Sequence, residues 1–194
     1  MGIASKATGL ILALLLLSGC APALVGGAAV GASVVHDRRT VGTVIDDETI
    51  ELSTYRALGK DAEISEYAHI NATAYNGALL LTGEAPNEAA RDRAERIVRG
   101  VQKVRRIYNE LVVAGKTSLV SRSNDVLIST SVKGALLGVD AGEDFDATRV
   151  KVVTEAGTVF LMGLLKRSEV APVVDTVRRQ GGVKRVIKLF EYID

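Results

Sequence analysis

A single cysteine, two histidines and a few clustered carboxylates are the side chains here whose types and spacing offer chemistry. Cys20 closes the tetrapeptide Leu17-Ser18-Gly19-Cys20. A leucine three places before a cysteine, with two small residues between them, makes a lipobox. The thiol takes a diacylglyceryl group, a lipoprotein signal peptidase cuts before it, and residue 20 becomes an acylated N-terminus. No second cysteine exists to compete for that thiol in a disulfide. Upstream, Lys6 and the apolar run 10–17 complete a secretion signal. The run is far shorter than the roughly 20 residues a spanning helix needs. Residues 1–19 are therefore expected to be removed.

The other candidates are weaker. His36 and His69 have no second His, Cys or carboxylate at ligand spacing, so no metal site is expected. Glu143, Asp144 and Asp146 resemble a calcium loop only loosely, lacking its glycine and terminal glutamate, and read as a solvated linker. Asp46, Asp47 and Glu48 are expected to cap a helix rather than to act as an acid–base pair. No Gly-x-Ser-x-Gly elbow is present, and no glycines follow a strand at dinucleotide spacing. The expectation is a protein that is not an enzyme and takes no cofactor.

Charge excludes a further class. Lys6 is the only charged residue in 1–19, so its removal leaves basic and acidic residues equal in number. No global field draws such a chain to nucleic acid. Local clusters differ between the two halves. Arg91, Arg93, Arg96 and Arg99 are interleaved with Asp92 and Glu95, and Lys103, Arg105 and Arg106 follow. Arg178, Arg179, Lys184, Arg185 and Lys188 are less diluted. The first four of these five are the candidate contacts for anionic headgroups.

The elements that must position these residues follow from an internal repeat. Residues 20–45 are the anchor and a tether rich in Ala, Gly and Val, broken by Pro22, that lies near a membrane without spanning it. Beyond it, Asn76-Gly77-Ala78-Leu79-Leu80-Leu81-Thr82-Gly83 matches Ala156-Gly157-Thr158-Val159-Phe160-Leu161-Met162-Gly163 at an offset of 80. Val104-Arg105-Arg106-Ile107 matches Val183-Lys184-Arg185-Val186 at 79, and Asp47-Glu48-Thr49-Ile50 matches Asp125-Val126-Leu127-Ile128 at 78. Order kept with so little drift marks a duplicated unit of about seventy residues, 46–114 and 124–194.

Each unit opens with a helix, from near Asp46 to Leu58 and from near Asn124 to Leu137, followed by Gly59 or Gly138. A strand alternates at Ile70, Ala72 and Ala74, or at Val150 and Val152. Asn76-Gly77 signals a hairpin turn. The second strand ends at Gly83 or Gly163. A second helix starts after Asn87 or Ser168, with Pro172 expected in its first turn. A closing strand runs over 104–113 or 183–193. The fold class is α+β: two tandem α-β-β-α-β sandwiches, each a small mixed sheet with two helices on one face. The linker 115–123 is short, so the two units are expected to touch rather than swing freely.

These residues carry a family resemblance. The α-β-β-α-β unit, the NG…LTG and AG…LMG strands and the GGVKRV corner resemble the BON domain. The order of lipobox, small-residue tether, DRRTVGTVIDD and two such units is similar to two-BON-domain outer-membrane lipoproteins. The resemblance implies lipid-anchored localisation at the outer membrane facing the periplasm, with Ala21 rather than Asp after the anchor. It also implies recognition of phospholipid surfaces, a role in envelope integrity and no known catalysis. The alternative is a scaffold that docks outer-membrane assembly or cell-division proteins through a sheet edge.

The opening helix of the second unit is the expected lipid contact. Ile128, Val132, Ala135 and Leu136 take its core face, leaving Val126, Leu127, Thr130, Lys133 and Leu137 outward as a shallow wedge. Members of the family tend to carry Trp where this chain has Leu127. The first unit's opening helix carries Glu48, Glu51 and Arg56, and no insertion is expected there.

Overall fold

The structure of the protein, a computed structural model, describes residues 37–115 and 119–194. Cys20, His36 and the rest of the tether up to residue 36 lie outside them. The first copy comprises α1 (Val41–Leu58), α2 (Ala62–Tyr67), β1 (His69–Tyr75), β2 (Ala78–Ala85), α3 (Glu88–Val98), β3 (Arg106–Asn109) and β4 (Val112–Val113). The second comprises α4 (Leu119–Leu136), a 3-10 turn (Ala147–Arg149), β5 (Lys151–Glu155), β6 (Thr158–Leu165), α5 (Arg167–Arg178) and β7 (Arg185–Tyr192). In both, an antiparallel hairpin is joined by a helical crossover to a parallel third strand, so β2 and β6 are central. This is the expected α+β architecture.

Each sheet packs its helices on one face. Ile50 and Leu58 from α1 and Ala90, Ala94 and Val98 from α3 meet Ala72, Ala74, Leu79 and Leu81. Ile128, Val132 and Leu136 from α4 and Val173 and Val177 from α5 meet Val152, Val159 and Leu161. The opposite faces of the two sheets close on each other through Tyr75, Ala78, Leu80, Phe160, Met162 and Leu189. The layers therefore run helices, sheet, sheet, helices. Leu80, Phe160 and Met162 are at most 2 % exposed, and burial of each contributes roughly 1.5–3 kcal/mol. That is enough to hold the copies together, as expected.

Several boundaries differ from the sequence reading. α1 starts at Val41, where the Thr40 hydroxyl accepts from Thr43 N, rather than near Asp46. α4 starts at Leu119 and takes up part of the expected linker. α2 is an additional helix, capped by Asp61 through Ile64 N. The first closing strand is split, because Asn109 turns its amide onto Arg91 O and Glu95 while Leu111 drops into the core. α5 starts at Arg167, and Glu169 reaches back to accept from Lys166 N at 2.7 Å. Pro172 consequently sits inside the helix, not in its first turn.

Asp47 is the main correction. It is 3 % exposed and does not cap the helix. Its carboxylate accepts from Asn76 N and Gly77 N, both at 2.7 Å, and so clamps the β1–β2 turn. Asp125 accepts from Ala156 N at 2.9 Å and Gly157 N at 2.8 Å in the second copy. The turn is thus pinned to the opening helix in both copies.

Residues 37–39, ahead of α1, tie the copies together from outside the sheets. Arg38 forks onto Glu169 with two 2.7 Å bonds and donates to Leu164 O at 2.8 Å. Arg39 pairs with Asp37 and Asp47 and lies 3.9 Å over the Tyr75 ring. Burial, then the charge of Asp37, pushes the Tyr75 phenol up to about 12. It stays protonated and donates to Arg149 O.

Candidate functional site

A helix that buries one stripe presents the opposite one. α4 sinks Ile128, Val132 and Leu136, each four residues after the last, and leaves Val126 and Leu127 exposed by 64 % and 69 %, with Leu137, in the turn just after the helix, exposed by 75 %. Thr130 lies among them, and its hydroxyl donates to Val126 O at 2.9 Å, which lessens its demand for water. Lys133 is exposed at one side and makes no ion pair among the described residues. Four of the five residues expected to meet lipid therefore share one face of α4, and the fifth, Leu137, follows in the turn just after it. Large apolar side chains grouped in this way form an exposed apolar patch rather than scattered single residues.

The basic corner adjoins this helix. Ser131 Oγ donates to Gln180 Oε1 at 3.1 Å, and a Cβ at Gly182 would meet the Ile128 side chain at 2.9 Å. Arg178 shares its charge with Asp175, and Lys184 donates to Ala156 O. Arg179, Arg185 and Lys188 are exposed with no ion pair among the described residues. The first copy is different. Arg91, Arg93, Arg99, Lys103 and Arg105 pair with Asp92, Asp61, Glu95, Asp46 and Glu191. Its cations are largely spent on carboxylates, whereas in the second copy Arg179, Arg185 and Lys188 carry charge that no described carboxylate offsets.

α1 holds a feature that its charged residues concealed. Val41, Ile45 and Leu52 are exposed by 53 %, 57 % and 51 %. Glu51 turns inward instead, accepting from Ala74 N and pairing with Lys151. The spacing 41, 45, 52 places these side chains on one face, a signal available from periodicity alone.

The remaining candidates have structural partners. His69 begins β1 opposite Glu84. Asp144 pairs with Lys166, whose hydrogen bond and charge hold its carboxyl below the usual range. Asp146 caps the 3-10 turn through Thr148 N at 2.8 Å. Among the described residues, no group of three or more His, Cys, Asp and Glu could hold a metal ion, and no helix is long and apolar enough to cross a membrane.

Comparison with known proteins identifies the family. The BON domain family matches residues 46–115 and 124–194. The chain is 43 % identical over 182 residues to outer membrane lipoprotein DolP of Haemophilus influenzae, spanning 94 % of this chain and 93 % of that one. It is 40 % identical over 157 residues to a 21 kDa hemolysin of Actinobacillus pleuropneumoniae, spanning 81 % and 79 %. Among solved structures, the C-terminal domain of CdsD, a type III secretion protein of Chlamydia trachomatis, has a TM-score of 0.30 at 16 % identity, covering 76 % of this chain and 67 % of that one. A likeness that slight carries no argument. With both copies matched by one family and nearly its whole length shared with DolP, the chain belongs to the BON-domain family, as a two-domain member of the DolP type.

Proposed function

We propose that this protein is a periplasm-facing lipoprotein of the outer membrane, acylated at Cys20, that binds anionic phospholipid surfaces through its second BON domain and thereby supports envelope integrity. The exposed apolar face of α4 beside a basic corner with uncompensated charge is the observation that carries the reading. Apolar side chains enter the acyl boundary while cations meet the headgroups. The relative's name, outer membrane lipoprotein, supports the location.

Leu127→Glu is expected to abolish co-sedimentation with vesicles containing phosphatidylglycerol. Leu127 contributes roughly 1.5–3 kcal/mol when buried in acyl chains, and a carboxylate there repels an anionic surface. At 69 % exposure the substitution should leave the melting curve almost unchanged. Vesicle binding that survives the change, or a large fall in melting temperature, would count against α4 as the contact.

The anchor has its own test. Intact-mass measurement of the membrane-extracted protein should show a chain beginning at residue 20 with added acyl mass, and Cys20→Ala should accumulate as an unprocessed precursor. A mature N-terminus elsewhere, without acyl mass, contradicts the proposal.

A second reading has one observation in its favour. β7 runs for eight residues along the outer edge of the second sheet, pairing only with β6 among the described residues. A sheet edge of that length, unpaired with any described strand, can accept an added one. This would suit a scaffold for outer-membrane assembly or cell-division proteins.

A further inference from the structure

A groove of about 720 Å³ runs from α1 across the edge strands β1 and β5 to α4, and so crosses from one copy to the other, a size typical of small-molecule sites. Its floor is apolar, formed by Ala74, Leu136, Val150 and Val152. Most charged groups along it are already engaged. Asp47 holds the turn and Arg39, and Glu51 holds Lys151. Two are not. Glu48 on the α1 side and Lys133 on the α4 side both line the groove, are exposed, and pair neither with each other nor with any other described residue. Leu137, in the turn just after α4, lines the groove and continues the exposed apolar patch of that helix, so the groove opens onto the proposed membrane contact.

We infer that this groove takes a single phospholipid whose head carries both a phosphate and a primary ammonium, as in phosphatidylethanolamine. The phosphate meets Lys133, and the ammonium, with its three N–H donors, meets Glu48. An acyl chain lies along the apolar floor and leaves past Leu137. A glycerol head can offer Glu48 hydroxyl donors but no positive charge, so its phosphate and the carboxylate are left as two anions close together. A choline head carries the positive charge but has no N–H to donate. The inference rests on the proposed membrane contact, since that surface supplies the lipid. It differs from that contact in requiring one monomer between the copies rather than a bilayer surface.

The test uses dihexanoyl phospholipids with ethanolamine, choline or glycerol heads, each below its micelle concentration, titrated into the signal-free full-length Cys20→Ser chain and followed by amide chemical shifts. The ethanolamine lipid should shift Ala74, Val150 and Val152 and bind more tightly than the other two. Glu48→Gln should weaken it about tenfold, the value of one charge-assisted hydrogen bond. Glu48→Lys should reverse the preference in favour of the glycerol head. Leu127→Glu, which is designed to disrupt vesicle binding, should leave the short-chain lipid unaffected. Equal binding of all three heads, or shifts confined to α4's outer face, would overturn the groove while leaving the surface contact standing. Groove binding combined with Leu127→Glu protein that still sediments with vesicles would instead overturn the surface contact.

Discussion

Arg38→Ala is expected to destabilise the folded body by about 3–5 kcal/mol, a fall of roughly 6–20 °C in melting temperature for a domain pair of this size. The reason is what it leaves behind. The Glu169 side chain is 2 % exposed and the Arg38 side chain 14 %. With the guanidinium gone, Glu169 keeps only Lys166 N, and Leu164 O loses its side-chain donor. Removing one partner of a buried ion pair strands the other charge where water cannot reach it. Arg38→Lys retains the charge but not the planar fork, so it should recover only part of the loss.

The pH dependence distinguishes this pair from ordinary packing. Burial acts to raise the Glu169 carboxyl, but the Arg38 hydrogen bonds, the Lys166 backbone bond and the Arg38 charge together hold it below its usual 4.5. A depressed carboxyl contributes stability that is complete above the unfolded value and is lost as pH falls through the folded one. In Arg38→Ala burial dominates, so protonation relieves the mutant. The gap in melting temperature between wild type and Arg38→Ala should be widest near neutral pH and narrow below about pH 4.5. A gap constant across that range would show that Arg38 acts through packing alone.

The repeat made the strand–turn–strand–helix–strand order legible, because matched residues recur at nearly constant offset. It was less informative wherever the copies diverge. α2 fills an interval that the second copy spans with Asp140 to Asp146 and a 3-10 turn, so comparison offered no template for it. The face-to-face packing of the sheets did have a signal. Leu79 to Leu81 and Val159 to Met162 are unbroken apolar runs, and a strand covered on only one side alternates instead. Leu80, Phe160 and Met162 are the residues by which each sheet meets the other. The α4 face was readable from period alone, because Ile128, Val132 and Leu136 define the buried stripe and its opposite follows. Arg38 was not readable. Its partner is 131 positions away, and in the sequence it stands only as one residue of the DRRTVGTVIDD segment.

Asp47 and Asp125 were visible as matched residues, but their shared role was not, and the pair allows a graded prediction. Each carboxylate holds a two-residue turn in which both residues have positive φ: 50° and 73° at Asn76-Gly77, 50° and 80° at Ala156-Gly157. Glycine adopts such angles freely and asparagine tolerates them, but alanine does so at a cost of about 1 kcal/mol or more. The second turn is therefore strained at Ala156 and leans on its clamp. Removing either aspartate leaves two backbone N–H groups without their acceptor. Asp47 also receives Arg39 Nη1 at 2.8 Å, and the Arg39 side chain is only 12 % exposed, so its loss disturbs a third contact and the stacking on Tyr75. Denaturant unfolding should show a loss of about 3–5 kcal/mol for Asp47→Ala and about 2–3 kcal/mol for Asp125→Ala, reflecting bonds to a charged acceptor. Asn at either position keeps one acceptor oxygen and should fall between alanine and wild type. Ala156→Gly in the wild-type background should raise stability by relieving the turn, and should also lessen the damage of Asp125→Ala, because the clamp then has less strain to restrain. Losses below about 1 kcal/mol for both alanine variants, the range of an ordinary surface change, would show that the hairpins hold their turns without the helices.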